Sequence, residues 1–191
     1  MQMSQKKDKE KILFFRTSVF KVAELIFNSP NKIFHIRKLA EEAGLSTTAT
    51  LAAVTELQKF KISSIEKTDV TTNIRADLES EAYRFYKKVF NLYRLERYGI
   101  IDILKDRFSA HALVLFGSFA RGEDIEESDI DFLIITKNRT ADVDEYLVGW
   151  ERFFKRKINI HILPSLEDSS KEFKNAVANG IVLHGYLKVI S

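Results

Sequence analysis

Two aspartates one residue apart, Asp129 and Asp131, open the apolar run from Ile130 to Ile135. In extended chain alternate residues share a face, so both carboxylates point one way while Ile130 and Phe132 point the other. Adjacent carboxylates repel, and a divalent cation is the usual relief. Mg2+, with Mn2+ as the alternative, takes one or two carboxylates and completes its shell with phosphate oxygens. Upstream, Leu115-Phe116-Gly117-Ser118-Phe119-Ala120-Arg121-Gly122 reads as a strand that ends in Gly-Ser and turns into a helix start. Such a turn presents backbone N–H groups to phosphate oxygens. Gly117 permits close approach, Ser118 adds a hydroxyl donor, and Arg121 brings a planar fork of donors one helical turn later. Gly117, Ser118 and Arg121 are therefore the candidate nucleotide-binding residues, and Asp129 and Asp131 the candidate metal ligands. Asp-x-Asp alone is equally the start of a solvated strand capped by Ser128; only its context shifts the balance.

The combination of Gly117-Ser118 at a strand end, Arg121, Gly122 and Ser128-Asp129-Ile130-Asp131 at the next strand resembles the signature of polymerase-beta-like nucleotidyltransferases, most of all the minimal ones of archaea and bacteria. The likeness is tight over residues 112 to 135 and loose over 109 to 191. It implies transfer of a nucleoside monophosphate from NTP, ATP first, to an acceptor hydroxyl with Mg2+. Members of that family usually carry a third carboxylate on the strand after the intervening helix. Here that strand reads Lys157-Ile-Asn-Ile-His-Ile-Leu163, with Asn159 and His161 on one face and no acid. Either His161 acts as a general base, or Asn159 lends a neutral oxygen, or His161 is a polar residue on a half-buried strand. Losing an anionic ligand weakens the metal that activates the acceptor, so turnover is slow, redirected or absent while nucleotide binding survives. Glu123, Asp124, Glu126 and Glu127 form an acidic loop beside the site; a solvated loop is its plain reading, a substitute ligand the other.

The elements that must position these residues alternate in the C-terminal half: strands Ala112 to Phe116, Ile130 to Ile135, Ile158 to Leu163 and Ile181 to Leu183, with helices Val143 to Phe154 and Ser170 to Ala178. The expected fold class is α+β: an N-terminal domain over 1–78, a helical connector over 79–108 and an α/β domain with a small mixed sheet over 109–191. In the N-terminal part, apolar residues at Ile12, Phe15, Val19, Val22, Leu25 and Ile26 predict a helix from Lys9 to Phe27. His35 to Ala43 predicts a second, ended by Gly44. Ser46 caps a third from Thr47 to about Phe60. Ile62 to Asp77 reads as two short strands around a Thr-Asp turn. The segment Ala40-x3-Gly44-Leu45-Ser46 resembles the turn of winged helix-turn-helix domains, over roughly residues 8 to 78. That likeness implies double-stranded DNA as a partner, with Thr47, Thr48 and Thr50 outward on the reading helix, Lys38 and Lys59 on phosphates, Arg37 and Lys61 beside them, and Arg75 in the wing. Winged helices also dock proteins or dimerise, so a homodimer is one alternative; the likeness to minimal nucleotidyltransferases implies another, an antitoxin-like partner that modifies a companion protein. Tyr83, Tyr86, Phe90 and Tyr93 recur at helical spacing in the connector and read as packing.

Composition bounds these readings. Residues 1–61 carry 11 Lys/Arg against 6 Asp/Glu, although the whole chain is only +3, so the basic excess lies in the N-terminal part. There are no cysteines, which excludes disulfides and thiolate metal sites. The longest apolar runs fall far short of the ~20 residues a spanning helix needs, and Met1 to Glu10 carries no signal-peptide pattern. A cytoplasmic protein without membrane contact is the expectation.

Overall fold

A computed structural model describes residues 17–138 and 142–188. The chain divides into two compact units, residues 1–87 and 88–191.

In the first unit, α1 (Ser18–Asn28) begins where the Thr17 hydroxyl accepts from Phe20 N at 3.1 Å. The part of the expected first helix at residues 9–16 lies outside the described residues. Within them the helix starts at the Thr17 cap. β1 (Phe34–His35) leads into α2 (Ile36–Ala43), which ends at Gly44 with φ +63°, a left-handed turn that glycine enters without a Cβ penalty. α3 (Thr47–Lys59) starts at Ser46, whose hydroxyl accepts from Ala49 N at 3.2 Å. β2 (Ser63–Lys67) and β3 (Thr72–Ala76) form a hairpin, and the antiparallel sheet runs β1-β3-β2. The helices and sheet close over Val22, Ile26, Phe34, Leu39, Val54, Leu57 and Ile74, all at most 2% exposed.

Thr50 corrects the outward assignment made from its polarity. It is fully buried, because its hydroxyl donates to Ser46 O at 3.0 Å and so needs no water. Thr47 and Thr48 are exposed.

The segment expected as a connector folds as α4 (Glu81–Arg97), which crosses the division between the units, and α5 (Ile100–Phe108). α5 sends Ile100, Leu104 and Phe108 into the core of the second unit. There, β4 (Ala112–Phe116), β5 (Ile130–Ile135), β6 (Ile158–Leu163) and β7 (Ile181–Gly185) form a mixed sheet ordered β6-β5-β4-β7. β5 and β6 are parallel, joined through α7 (Asp144–Phe154); the other pairs are antiparallel. α6 (Gly117–Arg121) follows β4, and α8 (Lys171–Ala178) precedes β7.

The alternation of strand side chains gives the sheet two apolar faces. Leu113, Leu115, Ile130, Phe132, Ile134 and Ile158 pack with Phe119, Trp150 and Phe154. Val114, Phe116 and Leu133 pack on the opposite face with Leu166, Phe173 and Val177. Both faces are covered, which is why β4 and the part of β5 after Asp131 read as continuous apolar runs. Mixed α and β structure with small sheets is thus established. No helix among the described residues is long and apolar enough to cross a membrane.

Candidate active site

β4 and α6 meet at Gly117. Buried Phe119 and Ala120 anchor the short helix in the core, so the Gly-Ser turn stays fixed at the strand end. Asn91 reinforces the turn from α4, its amide donating to Phe119 O at 2.9 Å. Gly117 has φ +78°, and a Cβ there would lie 2.6 Å from Asp131 Oδ2. The Gly-Ser turn and the second aspartate are therefore in direct contact. α6 spans only five residues, so any hold on phosphate comes from individual N–H groups of the turn rather than from a long helix dipole.

Antiparallel pairing sets Phe116 opposite Asp131, and parallel pairing sets Asp131 beside Asn159 and Leu133 beside His161. The Asn159 amide nitrogen donates to Asp129 Oδ2 at 3.1 Å and to Asp131 Oδ1 at 2.9 Å. The two carboxylates thus converge on one atom, the arrangement that the Asp-x-Asp spacing requires. His161 lies two residues further along β6. It is exposed, with its ring 5.6 Å from that of Phe116 and 5.3 Å from that of Phe173. Between the alternatives left open by the sequence, Asn159 is the residue whose side chain bonds the aspartate pair.

Arg121 is half-exposed and donates from Nε to Glu123 Oε2 at 2.7 Å. Glu123 engages Nε and leaves the Nη donors of the guanidinium outside that bond. The acidic loop is not uniformly solvated. Asp124 is buried, takes a hydrogen bond from Asn91 Nδ2 at 2.7 Å, and pairs with Arg156 Nη2 at 2.8 Å, the two side chains being 1% and 4% exposed. Arg156 also donates to Ile125 O, and to Ser128 O at 2.9 Å. The Ser128 hydroxyl accepts from Ile125 N at 3.0 Å. Arg156 therefore clamps the loop from within and sets where the chain emerges at Asp129. Sequence reasoning missed Asn91 and Arg156. The one available signal was the basic run Lys155-Arg156-Lys157, complementary in charge to the loop.

The fit of this donor set to a cation follows from its chemistry. Two carboxylates share a face and a common neighbouring atom, a hard oxygen pair that would suit one Mg2+ completed by phosphate oxygens.

The candidate DNA-binding lysines belong to the first unit. Lys38 donates to Glu41 at 3.0 Å and Lys59 to Glu56 at 2.7 Å. The hydrogen bond to Glu41 raises the Lys38 pKa above its ordinary value.

Residues 97–184 match the family model described as "Nucleotidyltransferase domain". A protein of Methanocaldococcus jannaschii named "Putative protein adenylyltransferase" is 48% identical over 46 residues. That stretch is 24% of this chain and 46% of the relative, so the match spans under half of the relative's length. No solved structure matches. Residues 97–184 thus resemble a nucleotidyltransferase domain, and the short match to the M. jannaschii protein is in keeping with that resemblance.

Proposed function

We propose that the protein moves a nucleoside monophosphate from NTP, with ATP as the first choice, to an acceptor hydroxyl, using Mg2+ held by Asp129 and Asp131. The observation that carries this reading is the convergence of both carboxylates on Asn159 Nδ2, hard against Gly117 at the end of β4. The backbone amides of Gly117 and Ser118 receive the phosphate tail, and Arg121 joins them with its Nη donors. Asp129 and Asp131 are the residues that would hold the Mg2+ beside the phosphate tail. That ion, when bound, neutralises the charge of the departing pyrophosphate. As a general base, His161 would act on an acceptor seated beside the rings of Phe116 and Phe173. The name of the M. jannaschii relative, a putative protein adenylyltransferase, favours ATP as donor and a protein as acceptor, which would make the substrate a companion protein.

A second reading keeps nucleotide binding without turnover, in a DNA-binding regulator. It is favoured by Asn159, which leaves the site one charge short. For the first unit, a winged helix-turn-helix is supported by the order α1-β1-α2-α3-β2-β3 and the left-handed turn at Gly44. Duplex contact would fall to exposed Thr47 and Thr48 with Lys38 and Lys59, whose acidic partners phosphate must displace. Binding of duplex that weakens as salt rises, and that fails when Lys38, Lys59 and Lys61 are replaced, is the expected outcome of that reading. Unchanged binding after those replacements removes this face from it.

Incubation of the protein with α-labelled ATP, Mg2+ and cell extract separates the two readings. Transfer expects a labelled acceptor that vanishes with Asp129→Asn and Asp131→Asn. ATP binding without any labelled acceptor contradicts transfer and leaves the regulator.

A further inference from the structure

The third ligand position of the site is filled by an amide, and its orientation has consequences for the ions the site can hold. Asn159 faces two carboxylates at 3.1 and 2.9 Å. Only its nitrogen can do so, since a carbonyl oxygen turned toward them would meet two anions with no proton to share. Asn159 thus presents donors at the place where a cation needs an acceptor. Turning the amide over would offer an oxygen, but would forfeit both hydrogen bonds and add no charge.

Among the described residues no third acid joins Asp129 and Asp131 in a metal-binding cluster. Asp124 is buried and paired with Arg156, and Glu123 is paired with Arg121. Among the described residues, no three His, Asp or Glu side chains converge closely enough to hold a metal ion. Two divalent ions in one site stand about 3.5–4 Å apart. They repel strongly at that separation, and holding both takes anions between and around them. Two carboxylates and a nucleotide's phosphates suffice for one ion with its remaining ligands.

We infer that this site, read as a nucleotide site as above, holds one divalent cation per bound nucleotide, and that Asn159 is the residue that limits it to one. The same geometry couples the ion to the nucleotide. An ion arriving alone must displace the Asn159 donors and gains only two carboxylates, whereas phosphate oxygens supply the rest of its shell.

Mn2+ counted by electron paramagnetic resonance on the full-length chain tests this without any turnover. With a non-hydrolysable ATP analogue, wild type takes up one Mn2+ per chain, and at least tenfold more weakly without the analogue. Asn159→Asp takes up two, while Asn159→Ala, which removes the donors but adds no charge, stays at one. Two ions in wild type, or one in a folded Asn159→Asp chain, overturns the inference. If Asn159→Asp does not fold by circular dichroism, the wild-type count alone decides, one supporting and two overturning. Uptake that survives the combined Asp129→Asn and Asp131→Asn change sinks the site assignment itself, a failure distinct from a miscounted wild type.

Discussion

Gly117→Ala probes the contact between the Gly-Ser turn and Asp131. At φ +78° an alanine sits in left-handed backbone, at a cost of about 1–2 kcal/mol. The new Cβ lands 2.6 Å from Asp131 Oδ2 but 3.6 Å from Asp131 Cγ, so the carboxylate can rotate away rather than push the backbone. Rotation breaks the 2.9 Å bond from Asn159, a half-buried hydrogen bond to a charged group that contributes roughly 1 kcal/mol after partial solvent compensation. The total loss of stability is about 2–3 kcal/mol, a fall in Tm of about 4–12 °C for a chain of this size. Binding should suffer more selectively, because one of the two carboxylates now points away from its partner. Calorimetric titration with Mg2+ and ATP should show at least about tenfold weaker binding, roughly 1.4 kcal/mol. Gly149→Ala is the control. It lies in α7 with nothing within 4 Å of the added Cβ, and alanine there stabilises the helix by up to about 1 kcal/mol without touching binding. Gly117→Ala with a lowered Tm and wild-type affinity for Mg2+ and ATP would refute the claim that the turn and Asp131 form one site.

Three further perturbations address the supports. Arg156→Ala leaves Asp124 buried with its charge uncompensated, and should cost about 3–5 kcal/mol by denaturant unfolding; a loss below about 1 kcal/mol would mean that the pair does not clamp the loop. His161→Ala should lower acceptor transfer about 100-fold while leaving ATP affinity unchanged, if His161 takes the acceptor's proton; equal transfer rates assign it to packing with Phe116 and Phe173. Glu172 has its pKa lowered first by its own backbone N–H and then by Ser170. Its contribution to stability is therefore complete above the unfolded pKa and lost as pH falls through the lower folded value. Melting of Glu172→Gln should differ from wild type at neutral pH and converge with it in that acid window; a constant offset at all pH values would argue against the linkage.

How much of this was legible in the sequence depended on whether a feature was local. β4, β5 and β6 were readable because their apolar runs end at chemically distinct residues, Gly117, Asp129 and Pro164, and because a one-residue slip would turn Asp131 into the core. The Ser46 and Gly44 helix ends were readable from capping chemistry within four residues. The choice between Asn159 and His161 was not, since both share a face and only the parallel register, Asp131 beside Asn159, separates them. Asp124, Asn91 and Arg156 lie 28 or more residues from their partners or from one another, and no local pattern marks an acid in a charged loop as buried. Thr50 was misplaced for the opposite reason: its polarity suggested water, while a bond to the carbonyl four residues earlier satisfies it inside.

The central claim is that Asp129 and Asp131 bind a cation that nucleotide shares. Isothermal titration of ATP into the protein, with and without Mg2+, for wild type and for the chain carrying Asp129→Asn and Asp131→Asn, tests it most directly. Wild type should bind ATP in a Mg2+-dependent way that the double replacement abolishes. Equal affinity in the two chains, or wild-type binding indifferent to Mg2+, would contradict it.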